Sequence, residues 1–176
     1  IMYSYLVPEY FAGTLTSISE IQGTGTSSTY DGQDVSPSGI VTGVFANGYF
    51  IQDGTGPRSA IYVYDSNFTP EIGDSIVITG TVDEYYGMTE ITYPTASYLC
   101  GINMDLPDVA ILQSGDAAED YESVLVRVYG AECVNTDAGY GMWTIDDGSG
   151  ELFVHNNEVY NYTPTNGVIY TVTGPL

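Results

Sequence analysis

"NFTPEIGDSIVITG", residues 67–80, returns 94 residues later as "NYTPTNGVIYTVTG", residues 161–174. The same offset of 94 carries "FIQDGTG" (50–56) onto "TIDDGSG" (144–150), and "DGQDV" (31–35) corresponds to "DYESV" (120–124) at 89. Self-similarity at a near-constant spacing means that one folding unit occurs twice. The register drifts only where loops differ, as between "PRSAIYVYD" and "ELFVHNN".

Working outward from these matches, each copy reads as β-structure. Short runs rich in Val, Ile, Thr and Tyr, bounded by turn residues, suit pleated and half-buried strands. Strands are expected at 34–45, 48–53, 61–65, 75–84 and 88–93 in the first copy, and at 123–134, 141–147, 151–156 and 168–174 in the second. Between them "GINMDLPD" and "QSGDAAED" read as a connector. The expected division is an N-terminal strand-like segment (1–13), a first barrel (14–93), the connector (94–119) and a second barrel (120–176).

The charge narrows the choice of partner. The 176 residues hold two cations, Arg58 and Arg127, against 23 acidic residues, for a net charge of −21. Nucleic-acid affinity rests largely on cationic side chains that release phosphate counterions, so no nucleic-acid partner is expected. Anionic membrane surfaces are disfavoured for the same reason, and no stretch approaches the ~20 apolar residues of a spanning helix. The chain opens on Ile1 rather than Met, which reads as a processed, exported protein at the cell surface or beyond it. In that compartment Cys100 and Cys133 are candidates for a disulfide, with free thiols as the alternative.

Little in the sequence points to catalysis. The lone histidine, His155, lies in "LFVHNNE", and there is no lysine and no Ser/His/Asp or Cys/His signature, so no catalytic residue, metal or cofactor is expected and the chain is not read as an enzyme. Asp146, Asp147 and Ser149 in "DDGSG" could present oxygens to calcium. Asp-Gly pairs between strands are hairpin turns first, because Gly supplies positive φ. Asn67 in "DSNFT" and Asn161 in "YNYT" are Asn-X-Thr sequons and candidate sites for a covalent glycan. The competing explanation is turn chemistry, with Asn and Pro setting backbone angles.

The ordered series "ISEIQGTG", "VSPSGIVTGVFANGYFIQD", "IYVYD", "EIGDSIVITGTVDEYYGMTEIT", "LPDVAILQ" and "DYESVLVRV" resembles the OB-fold accessory modules of large secreted bacterial nucleases of the endonuclease/exonuclease/phosphatase type. The resemblance covers most of the chain from Ile18 onward. It implies two OB-like, five-stranded Greek-key barrels and an exported bacterial protein, and it offers one functional alternative: a substrate- or nucleic-acid-binding accessory module. An OB groove that tracks nucleic acid needs a positive lining beside its stacking aromatics. Here 17 tyrosines come with two arginines, and no motif of the nuclease domain is present. Fold does not carry function, so the nucleic-acid role does not follow.

The two copies differ at their ends. At the offset of 94, Leu176 corresponds to Val82, after which the first copy continues with "DEYYGMTEITY" (83–93) as its last strand. The second copy lacks that strand and is expected to expose an unpaired edge at Tyr170, Val172 and Leu176. The leading "IMYSYLVPEYFAG" (1–13) has no counterpart in either copy. In an extended conformation it places Ile1, Tyr3, Tyr5 and Val7 on one face, and Pro8 then ends any pairing. The expectation is an extracellular structural protein, the protomer of a surface filament in which the N-terminal strand of one copy completes the second barrel of the next. Two other arrangements compete with it: the strand folding back on its own second barrel, and a fragment of a longer nuclease.

Overall fold

The computed structural model describes residues 13–45, 47–155 and 162–176. The expected donor residues Ile1, Tyr3, Tyr5 and Val7, and the sequon residue Asn161, lie outside the described residues.

The first barrel begins with a short helix, α1 (Ile18–Gln22), set by a capping box. The Ser17 hydroxyl accepts the Glu20 N–H at 3.3 Å while the Glu20 carboxylate accepts the Ser17 N–H at 3.2 Å, so two otherwise unpaired donors are met reciprocally. Gly23, at φ 63°, ends the helix. Six strands follow: β1 (Asp34–Val35), β2 (Ser38–Phe45), β3 (Gly48–Gln52), β4 (Ala60–Tyr64), β5 (Ser75–Tyr85) and β6 (Met88–Gly101). They form one sheet in the order β1-β5-β2-β3-β4-β6, which closes because β6 also pairs with β5. β6 runs parallel to β4 and antiparallel to β5, so it is the strand that seals the barrel. Val41, Tyr49, Ile51, Ile61, Val63, Ile76, Ile78, Val82 and Ile91 fill the interior, and Ile18 and Ile21 of α1 plug one end.

The second unit holds β7 (Ala110–Leu112), β8 (Leu125–Gly139), β9 (Met142–Asp146), β10 (Glu151–His155) and β11 (Ile169–Pro175). Its order is β10-β9-β8-β11, with β7 alongside β8. The described residues are therefore all-β apart from α1 and two 3-10 turns, Ser114–Asp116 and Glu119–Tyr121. They comprise two OB-like units, a closed barrel and a second sheet in which no described strand joins β10 to β11.

The connector is shorter than the sequence suggests. β6 continues past Tyr93 to Gly101, and Ala110–Leu112 joins the second sheet in parallel with Val126, Arg127 and Val128. Parallel pairing leaves no hairpin signal, and three residues are too few to show periodicity.

The two units meet along a seam. The outward face of β3 and the start of β4 is covered, leaving Phe50 8%, Gln52 1% and Ala60 0% exposed. Ala60 joins Val124 and Val126, with Ala110, Leu112, Tyr121 and Leu176 packed against them. The Gln52 side-chain oxygen accepts the Leu125 N–H at 3.0 Å. Arg58 closes one side: its guanidinium donates to the Gly25 carbonyl at 2.7 Å and to Asp120 at 2.8 Å, and it lies 3.5 Å from Glu119.

Candidate functional site

The open side of the second barrel is best seen against the closed first one. The pairing of β9 with β10 sets Ile145 opposite Leu152 and Trp143 opposite Val154, as β3 and β4 set Ile51 opposite Ile61 and Tyr49 opposite Val63. Leu152, Val154, Tyr170 and Val172 therefore stand where the first barrel has Ile61, Val63, Ile76 and Ile78. Those four are fully buried, whereas their counterparts are only half-buried against Val128, Ala131, Cys133, Trp143 and Ile145. Among the described residues no strand lies between β10 and β11, the two ends of the sheet, and the apolar side chains of the inner face are half-buried.

Two expected acceptor residues face this interior, and the third, Leu176, packs against the seam. Tyr170 and Val172 point inward from β11, and Tyr170 packs edge-on against Trp143 with ring centroids 5.2 Å apart. Tyr162 completes the cluster, 5.9 Å from Tyr170. It repeats the role of Phe68, whose ring meets Tyr49 at 6.0 Å in the first barrel. Leu176 is instead locked into the seam: its N–H donates to the Val124 carbonyl, and its own carbonyl accepts the Ser123 N–H at 2.8 Å. Val82, its counterpart in the first barrel, is bonded in the same way, to Gln33 and Gly32, and still stands opposite Ile91 of β6.

Sequence reasoning missed Leu152, Val154 and Trp143, which line the same opening. The β9–β10 register was the signal that could have found them. The opening is bordered at one end by the first barrel. Phe45 lies 6.4 Å ring to ring from His155 at the end of β10, and Pro175 at the end of β11 sits against Gly43.

The other candidates sit in turns and packing contacts. Asp147 accepts the Ser114 N–H at 3.0 Å and the hydroxyls of Ser149 and Ser114. The Ser149 bond leads the causes that hold its carboxyl down at about 2. Asp53, its counterpart, likewise accepts the Ile18 N–H at 2.8 Å. Both aspartates thus tether the segment that enters their barrel. Asp146 accepts the Gly148 N–H within its own turn. Among the described residues, no group of three His, Cys, Asp or Glu side chains is arranged to hold a metal ion. Asn67 is exposed, in a turn where Asp65 accepts its N–H at 2.8 Å. His155 is exposed, with its ring nitrogen 3.0 Å from the Tyr140 carbonyl.

The expected Cys100–Cys133 disulfide is not formed, and both residues are free thiols. Cys133 faces the second core beside Ala131 and Ile145, while Cys100 belongs to the β5–β6 ladder of the first barrel. The extension of β6 to Gly101 carries Cys100 into a different sheet from Cys133.

No helix among the described residues is long and apolar enough to cross a membrane. No protein-family model matches the chain, and no curated protein matches it. Among solved structures it is similar to the hypothetical protein ygiW from E. coli, at 20% identity and a TM-score of 0.38, over 49% of this chain and 90% of that one.

Proposed function

We propose that the chain is an extracellular structural protein whose open second barrel takes up a strand from another copy, so that copies join head to tail into a surface filament. The observation that carries this reading is that, among the described residues, β10 and β11 have no partner on the side that β6 fills in the first barrel. Free edges over a partly wet apolar interior attract a further strand. The proposed occupant is residues 1–7 of a second copy. That segment offers Ile1, Tyr3, Tyr5 and Val7 on one face and no charge along its length. Burying four such side chains is worth roughly 1.5–3 kcal/mol each before ordering costs are subtracted. A contact between two different surfaces does not close on itself, and it propagates as a fibre.

The charge balance supports a neutral strand as partner over nucleic acid, since Arg58 is spent inside the seam and Arg127 donates to Thr173 and Tyr129 of its own unit. Deleting residues 1–7 should leave folded, soluble chain that no longer assembles in electron micrographs or by light scattering. Appending a copy of residues 83–93 after Leu176 should also block assembly, by filling the opening from within. Filaments of normal appearance from the deletion variant would overturn the reading, and micromolar, salt-sensitive binding of single-stranded DNA would favour the accessory-module alternative.

A further inference from the structure

Gly80 and Gly174 occupy the same position in the two units, and their surroundings differ. A Cβ at Gly80 would lie 2.6 Å from the Ile91 side chain and 2.9 Å from the Thr92 carbonyl, both on β6. Glycine is required there because the sealing strand passes too close for any side chain. A Cβ at Gly174 would meet nothing within 4 Å. Gly174 has no positive φ, so no turn geometry calls for glycine either. Mid-strand glycine costs conformational entropy and leaves nothing to pack, and among the described residues no neighbour of Gly174 requires it.

We infer that Gly174 is the clearance for the incoming strand, and that this strand enters antiparallel to β11 and parallel to β10, with an aliphatic side chain laid over Gly174 as Ile91 lies over Gly80. This deepens the assembly reading and rests on it for the identity of the donor. The orientation follows from β6, which pairs Val82 with Ile91 antiparallel and Val63 with Ile91 parallel. Val154 stands in the place of Val63, and β11 in the place of β5. A strand of this orientation runs from the Glu151 end of β10 toward His155, and from the Pro175 end of β11 toward Ile169.

The test is Gly174→Val in the full chain, compared with wild type for assembly and for uptake of two synthetic peptides, residues 1–10 and residues 88–98 of this sequence. Trp143, the single tryptophan, packs in the second core, so its fluorescence reports uptake. Gly174→Val should melt within a degree or two of wild type, because the new methyls meet open space, yet bind either peptide at least tenfold more weakly. Gly80→Val, by contrast, should unfold the first barrel. Equal assembly and equal uptake by wild type and Gly174→Val overturn the inference while leaving the assembly reading intact. Selective loss of uptake of the 88–98 peptide, in a wild type that never forms filaments, sustains the clearance role and overturns the filament. A wild type that takes up neither peptide overturns both.

Discussion

Glu90 shows how one side chain can tie the first barrel to pH. It points outward from β6, opposite Asp83, yet is 5% exposed. Burial first, then the Asp83 charge, pushes its carboxyl up to about 7. A carboxyl raised in the folded state keeps its proton longer than in the unfolded chain. Its stabilisation is therefore complete below about 4.5 and is lost as the pH rises toward 7. Thermal unfolding followed by circular dichroism should show a higher midpoint at pH 5 than at pH 8, with Glu90→Gln removing most of the difference, on the order of 2 kcal/mol. Arg58 is the other residue with leverage. Arg58→Ala strips the seam of its bonds to Gly25, Asp120 and Glu119 and should cost about 1–3 kcal/mol in urea unfolding. Arg127→Ala, which breaks bonds only within its own unit, to Thr173 and Tyr129, should cost less, about 1 kcal/mol or below. Neither role was visible in the sequence, where the two arginines look alike. Burial and partners separate them, and both depend on residues more than 40 positions away.

Among the elements, strands announced by alternation and bounded by Gly-rich turns were legible, and those made by tertiary pairing were not. β3, β4, β9 and β10 fall within one or two residues of expectation, because a hairpin turn fixes at least one end of each. β7 and the last eight residues of β6 owe their extension to partners across the sheet. α1 carried a readable sign in "SISE", since Ser17 and Glu20 have capping-box spacing. Ser17→Ala should cost about 1 kcal/mol by chemical denaturation. The β5–β6 and β8–β9 hairpins turn through Tyr86-Gly87 and Tyr140-Gly141, with both tyrosines at φ 53° and more than 90% exposed. Left-handed backbone penalises a bulky residue by roughly 1 kcal/mol, a cost Asn largely avoids. Tyr86→Asn and Tyr140→Asn should each raise the urea midpoint by a corresponding amount.

At the scale of the whole molecule, the duplication was legible because the turn and strand motifs recur in order. The seam was not, since its hydrogen bonds join residues as distant as Gln52 and Leu125. The net charge of −21 sets a further expectation for assembly. Like-charged protomers repel over about 10 Å at 0.1 M salt, so raising sodium chloride from 0.01 to 0.3 M should shorten the lag of filament growth seen by light scattering. The seam has a thermodynamic consequence as well. Ala60 of the first unit is buried with Val124 and Val126 of the second, so unfolding either unit uncovers apolar surface of the other. Two independent barrels would melt as two calorimetric steps. Here the shared cluster makes the pair one cooperative unit, and the van't Hoff and calorimetric enthalpies of a single transition should agree.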